Sequence, residues 1–159
     1  MSYLVPYDDI INNVYHGRAI RTRSPVPSMA TDSDESHWPY DVPADQALAQ
    51  AKSLLAQASS PSGFSFTLSF DVGHGEFEQM ATLIQNSLAK ASIMVTLDPQ
   101  PTAAFQEKKY QAAMPAFLDA LLPWIPDAGY FIGLLWQSGS IGALQQLRQP
   151  AGGCVEHPG

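Results

Sequence analysis

Basic side chains are scarce in this chain. Eight Lys and Arg stand against fifteen Asp and Glu, a formal net charge of -7 at pH 7. Binding a phosphate backbone needs a dense cationic surface, so the balance argues against a nucleic-acid partner and against an anionic membrane. Cysteine is nearly absent. Cys154 stands alone in the tail, which excludes an internal disulfide and a Cys-based metal centre. The four histidines, His16, His37, His74 and His157, are scattered without metal-ligand spacing, so neither a metal nor a cofactor is expected. No serine sits in a nucleophile elbow, because Ser138-Gly139-Ser140 lacks the preceding glycine and the strand context. Asp8 and Asp9 are adjacent and diverge on a helix, so they make no catalytic pair. The chain therefore reads as a binder and not an enzyme.

Long apolar runs are missing too. The most apolar stretch, Leu118 to Trp136, is broken by Pro123, Pro126 and Asp127, so nothing is long enough to cross a bilayer. Met1-Ser2-Tyr3-Leu4 carries no basic n-region and leads into no long h-region. On that reading the chain has no signal peptide as it stands and would stay in the cytoplasm if made in this form.

What is present is a hydrophobic fraction of 45% in 159 residues, sufficient for one domain with a real core. Tyr7 to Tyr15 has helical spacing at Ile10, Ile11 and Val14, an acidic start at Asp8 and a stop at Gly17. Residues 18–43 are punctuated by Pro25, Pro27, Pro39 and Pro43 and read as a long irregular surface connection. Its acidic group Asp32, Asp34 and Glu35 reads as a solvated loop. Ala44 to Ala58 is rich in helix formers, with Ala47, Ala51, Leu54, Leu55 and Ala58 on one face.

Phe64 to Phe70 alternates between apolar Phe64, Phe66, Leu68 and Phe70 and polar Ser65, Thr67 and Ser69, a strand pattern. A turn at Gly73 to Gly75 leads into an amphipathic helix over Glu76 to Ala91, striped by Phe77, Met80, Ala81, Ile84 and Leu88. Ser92 to Asp98 alternates again as a second strand. Strand, helix and strand in such short order predict a parallel βαβ unit. Thr102 is placed to cap a helix reaching about Ala112. Ala116 to Leu122 reads as a third strand and Ala128 to Gln137 as a last short helix. The fold class is α/β, with a mixed or mainly parallel sheet and flanking helices.

Two places invite a functional reading. Gly73-His74-Gly75 lies between a strand and a helix, where a phosphate loop would lie. The dinucleotide fingerprint and the P-loop Lys-Ser/Thr are both absent, and Glu76 and Glu78 would repel an anion, so a plain turn is the better reading. A small α/β enzyme or phosphate binder using this turn is the rival it leaves, beside an interaction domain with no small ligand. Trp124 and Asp127 form the other place. They follow an apolar strand at its C-terminal end, where open α/β sheets bind ligands, with Pro123 and Pro126 stiffening the loop. A carboxylate there can hold a ligand ammonium and an indole can wall a pocket. The bland alternative is a helix-capping Asp beside a core Trp.

Several segments, in order, resemble the family 5 extracellular solute-binding proteins, the dipeptide and oligopeptide binders of ABC importers. They are Tyr7-Asp8-Asp9-Ile10-Ile11 running to Tyr15-His16-Gly17, Ser24-Pro25-Val26-Pro27, Trp38-Pro39-Tyr40-Asp41, Ala51-Lys52-Ser53-Leu54-Leu55-Ala56-Gln57-Ala58, Glu78-Gln79-Met80-Ala81 through Ile84-Gln85-Asn86-Ser87-Leu88, Ile93-Met94-Val95, and Trp124-Ile125-Pro126-Asp127. The resemblance covers Val5 to Ser140 and only the second lobe of such a protein. It implies that Asp127 receives a peptide's N-terminal ammonium and that Trp124 lines the pocket. The following residues depart from the commoner family pattern, so the implied ligand is a peptide or another amine-bearing solute. An ABC permease is the implied partner and the periplasm or cell exterior the implied location. Residues 1–140 are thus expected to form a lobe that binds weakly alone and self-associates through the face around Trp124, Tyr130 and Trp136. Residues 141–159 are expected to be a divergent, poorly ordered tail from a shifted reading frame or truncated gene.

Overall fold

The computed structural model describes residues 1–135 apart from 25, 31, 37–39, 59, 122–123 and the side chains of 44, 134 and 135. The expectations for Trp136, the helix end at Gln137, Leu122 and the 141–159 tail lie outside the described residues. A 3-10 turn, Ser2–Leu4, precedes helix α1, Tyr7–Asp9, which runs directly into a π-turn, Ile10–Val14. Then come α2 (Ala44–Gln57), β1 (Ser65–Asp71), α3 (Gly75–Ala89), β2 (Met94–Gln100), α4 (Thr102–Tyr110), β3 (Ala116–Leu118) and α5 (Ala128–Leu135). Among the described residues of 18–43 there is neither helix nor strand, as the proline spacing predicts.

The three strands form one sheet in the order β2-β1-β3, and both pairings are parallel. The expected βαβ unit is present as β1-α3-β2. Strand β2 runs two residues past the predicted Asp98, through Pro99. The N–H of Met94 donates to Phe64 O and that of Val72 to Gln100 O. Even-numbered residues of β2 therefore bond to β1, and Pro99 sits where the outer edge needs no N–H. The outward carbonyl of Val95 is taken by the Gln85 amide at 2.7 Å. Strand β3 is shorter than predicted, because the chain leaves the sheet at Asp119.

The core lies on the even-numbered face of β1. Leu68 and Phe70 pack with Val95 and Ile93, under Phe77, Ala81, Ile84 and Leu88 of α3. Every residue of the predicted α3 stripe is buried or, at Met80, partly buried. Burying each large side chain contributes about 1.5–3 kcal/mol. Leu4 and Ile10 close the core from the N-terminal segment. The α2 face differs from expectation. Ala47, Leu48, Ala51 and Leu55 turn inward, while Leu54 is half exposed and Ala58 exposed. A 3.6-residue period through positions 47, 51 and 55 takes in 48 and rotates 54 and 58 off the face.

The second face of the sheet is not the simple solvent face that the alternation suggests. Ser69 is 1% exposed and Asp71 3%. Phe105 of α4 is fully buried and meets Phe117 of β3 edge-on at 5.9 Å. Helix α4 therefore lies over the C-terminal half of this face. Residues Ser65, Met94 and Thr96, nearer the strand N-termini, stay exposed. Thr102 does not cap α4. Pro101 holds the cap position, and the Thr102 hydroxyl turns to the sheet.

Candidate functional site

Parallel strands end at one edge of the sheet, so the turns after Asp71 and Gln100 and the loop 119–127 leave from the same side. Buried polar side chains organise that edge. The Asp71 carboxylate accepts from the Gly73 N–H at 2.7 Å and from the Thr102 hydroxyl at 2.8 Å, both at Oδ1. One carboxylate thus ties the β1–α3 turn to the start of α4. The Gly73 N–H, then the Thr102 hydroxyl and nearby His74, hold its carboxyl below the ordinary 3.8, against a burial effect of opposite sign. Two residues earlier on each strand, the Ser69 hydroxyl donates to Asp98 Oδ2 at 2.9 Å. Gln100 donates to Asp98 Oδ1 and accepts from Lys108 Nζ. Lys109 then pairs with Asp119 at 2.6 Å and pins the start of the 119–127 loop to α4.

Trp124 and Asp127 lie on that loop. Trp124 is 85% exposed, which removes the core-Trp alternative. Ile125 beside it is half exposed. Asp127 is exposed and immediately precedes α5. Its Oδ1 accepts from the Tyr130 N–H at 3.2 Å, a donor shared with its own carbonyl at 3.2 Å. Asp127 is therefore the helix cap, as the bland reading expects. Its second carboxylate oxygen has no hydrogen-bond partner among the described residues. Gly129 keeps the cap unobstructed, since a Cβ there would meet Asp127 Oδ1 at 2.9 Å.

The Gly73–Gly75 segment is the expected turn, with α3 starting at Gly75. Its Gly73 amide is already used by Asp71, and Glu76 and Glu78 crowd the first helical turn. An anion placed there would face three carboxylates. His74 instead stacks on Phe77 at 4.8 Å and lies 3.6 Å from Glu76. Among the described residues no three His, Cys, Asp or Glu side chains converge on a metal position. No described helix is long and apolar enough to cross a membrane.

A separate open cleft of about 560 Å³ lies between the N-terminal segment and α2, with Tyr3, Tyr7 and Tyr40 among its walls. Neither Trp124 nor Asp127 lines it. Arg21 occupies its rim, stacked over Tyr7 at 4.1 Å and paired with Asp41.

The pattern of the bacterial extracellular solute-binding proteins, family 5, matches residues 1–143. The chain belongs to that family. Its members are the solute-binding proteins of ABC importers, found in the periplasm or outside the cell, and are binders and not enzymes. The glutathione-binding protein GsiB of Pectobacterium atrosepticum is 29% identical over 96 residues, 60% of this chain and 18% of that protein. Among solved structures, the periplasmic binding protein DppA of Helicobacter pylori in complex with the peptide STSA superposes with a TM-score of 0.75 at 26% identity, over 85% of this chain and 25% of that one. The binding protein AgaA of A. tumefaciens R10, in complex with agropinic acid, gives a TM-score of 0.69 at 26% identity, over 82% and 26%. The family and the α/β architecture implied by the resemblance are thus both present. The chain spans 18% of the curated relative and about a quarter of these solved ones.

Sequence reasoning missed this polar set, in which Ser69 and Asp71 are buried, Asp98 and Gln100 partly buried and Thr102 exposed. Ser69 reads as the polar side of a one-sided alternation and Thr102 as a cap. A signal was available in Asp71-Val72-Gly73, since an Asp two residues before a glycine at a strand end is the usual arrangement for a side chain that bonds the turn amide.

Proposed function

We propose that this chain is a ligand-holding lobe of an ABC importer's solute-binding protein, working outside the cytoplasm with a permease, and that its ligand carries a free amine, as a peptide does. The observation that carries the reading is the state of Asp127. One of its oxygens is fixed by the α5 cap, and the other has no hydrogen-bond partner among the described residues, on an exposed loop three residues from an indole that is 85% exposed. A carboxylate whose orientation is already set loses little freedom on accepting an ammonium, and a charged partner strengthens the bond. One solved relative is in complex with the peptide STSA, another with agropinic acid, and the curated relative is a glutathione-binding protein, which supports a small organic solute as the ligand.

An isolated lobe leaves the ligand open to water on one side, so affinity of this chain alone is weak. Titration with millimolar tri-alanine, followed by amide and indole NMR shifts, tests this. Shifts are expected at the Trp124 indole and the first turn of α5, and N-acetyl-tri-alanine is expected to lose them. Equal shifts with the acetylated peptide would overturn the amine reading. Submicromolar affinity would overturn the expectation of weak binding.

The loop and α5 favour self-association. Trp124, Ile125 and Leu121 of the loop and Ile132 of α5 are exposed apolar side chains. Exposed apolar surface drives contact between copies. Sedimentation is expected to show a concentration-dependent dimer that Trp124→Ser weakens, and a monomer at all concentrations would refute it.

A further inference from the structure

Helix α5, with eight residues, is too short to be stable by itself, since isolated helices under a dozen residues are marginal in water. Something must hold it. No described side chain of α5 belongs to the core cluster built on β1, β2 and α3. Phe131, 3% exposed, instead forms a second cluster with Val26 and Ala30, each 4% exposed, and with Ala128 and Tyr130 partly buried around it. Val26 and Ala30 belong to the 18–43 connection, which carries no helix or strand of its own.

That connection is folded tightly where it meets α5. The Val26 N–H donates to Ser24 Oγ, and the Val26 carbonyl accepts from Ser33 Oγ at 2.9 Å. Ala30 N–H donates to Pro27 O and Ser33 N–H to Ala30 O. The mouth of the loop is closed by a latch. Asp41 accepts from Arg21 Nη1 at 3.1 Å on one oxygen and from Arg23 Nε at 2.8 Å on the other. Arg21 is itself stacked on Tyr7 of α1, so the latch is tied to the body of the lobe.

We infer that the 18–43 connection is the seat of the ligand-holding helix: Val26 and Ala30, kept in place by the Arg21–Asp41–Arg23 latch, are positioning residues that fix the α5 N-terminus and with it the Asp127 carboxylate. The ligand part of this inference rests on the reading of Asp127 given above; the seat itself does not. The chain of contacts is continuous. Tyr7 holds Arg21, Arg21 and Arg23 hold Asp41, the closed loop presents Val26 and Ala30, they hold Phe131, and Phe131 lies one helical turn after Asp127. A loosened seat frays α5 from its first turn, and the bond from Tyr130 N–H to Asp127 is the first lost.

Amide hydrogen exchange on the whole chain tests the seat without any ligand. Val26→Ser is expected to raise exchange at Tyr130 and Phe131 about tenfold or more, because it removes buried apolar contact, while Leu68 and Phe70 of β1 hold their wild-type rates. Val26→Ile is expected to restore protection. Asp41→Asn is expected to act in the same place by about two- to threefold, as partly exposed ion pairs are individually weak. Unchanged exchange in α5 would overturn the inference, and so would a rise shared equally by β1. The tri-alanine titration runs alongside. In Val26→Ser the shift at the Trp124 indole is expected to need several times more peptide. If wild type shows no tri-alanine shift while α5 responds to Val26→Ser as stated, the amine reading fails and the seat stands.

Discussion

Two glycines with the same backbone twist separate a conformational cost from a packing cost. Gly17 has φ +75 and Gly63 φ +78, both in the left-handed region that a Cβ disfavours. A Cβ at Gly17 meets nothing within 4 Å. Gly17→Ala therefore carries only the left-handed strain, about 1–2 kcal/mol. The stiffer unfolded chain offsets about 0.4–1 kcal/mol of that. The net expectation is a loss of about 1 kcal/mol. A Cβ at Gly63 would stand 1.9 Å from Ser92 O and 2.6 Å from the Ser92 carbonyl carbon. Neither is the end of a flexible side chain. Ser92 already has φ 62, and two residues on the Met94 N–H makes the first rung of the ladder to Phe64 O. Relief requires the backbone to move by more than an ångström-scale adjustment, with loss of that rung, itself about 1 kcal/mol. Gly63→Ala is expected to cost about 3 kcal/mol or more, against about 1 kcal/mol for Gly17→Ala. Urea unfolding with linear extrapolation reads both, and an unchanged slope would show that the native state alone was altered. If the two variants fell within about 0.5 kcal/mol of each other, the packing of the β1 approach against the α3–β2 turn would be wrong.

Phe105→Ala, which empties the contact between α4 and the second sheet face, is expected to cost about 3–5 kcal/mol in the same urea assay; a loss below about 1 kcal/mol would show that α4 is not anchored there. Asp71 has its carboxyl pulled below 3.8 by the Gly73 N–H, so its contribution is present above that pH and lost as pH falls through the folded value. The stability gap between wild type and Asp71→Asn is therefore expected to be widest near neutrality and to close in acid, and a gap independent of pH would refute the assignment. With Trp38 and Trp136 replaced by Phe, Trp124 emission is expected to be red-shifted and fully quenched by iodide. A blue-shifted, protected emission would contradict its exposure.

Most of the fold was legible because its signals are periodic. The stripe Phe77, Ala81, Ile84 and Leu88 specifies α3, and the alternations at Phe66-Leu68-Phe70 and Ile93-Val95-Leu97 specify two strands whose spacing leaves room only for a helical crossover. What was not legible depends on which neighbour arrives. Ser69 and Asp71 look solvent-facing until α4 folds over them, and α4 is held there by Phe105, nothing about which names its target. Thr102 has the chemistry of a cap, yet Asp71 lies within 2.8 Å and takes its hydroxyl. Leu54 falls on the face that the apolar spacing predicts, but the phase of the helix is set by Ala47 and Ala51. The role of 18–43 was illegible for a related reason, since Val26 and Ala30 show no periodicity and become a core only when Phe131, a hundred residues later, closes on them.

Asp127 has two sequence readings, the cap that is observed and the anchor that is proposed, and the substitution that separates them follows from its geometry. The cap uses one oxygen at 3.2 Å from the Tyr130 N–H, and an asparagine side chain supplies the same acceptor. Asn and Asp cap about equally well, whereas Ala loses about 1 kcal/mol. Asp127→Asn is therefore expected to leave stability within about 0.5 kcal/mol of wild type, and Asp127→Ala to lower it by about 1 kcal/mol. In the proposed role, by contrast, charge at the other oxygen holds the ammonium. A neutral amide presents an N–H donor or a weaker carbonyl there, so Asp127→Asn and Asp127→Ala are both expected to weaken the tri-alanine shifts about tenfold or more. Stability thus reads the cap and binding reads the charge, each on a variant in which the other is controlled. Wild-type binding by Asp127→Asn would leave Asp127 as a cap and nothing else, and the ligand's amine would have to be sought at another carboxylate. Loss of stability in Asp127→Asn together with loss of binding would mean instead that α5 itself had moved, and the seat formed by Val26 and Ala30 would then be the place to look.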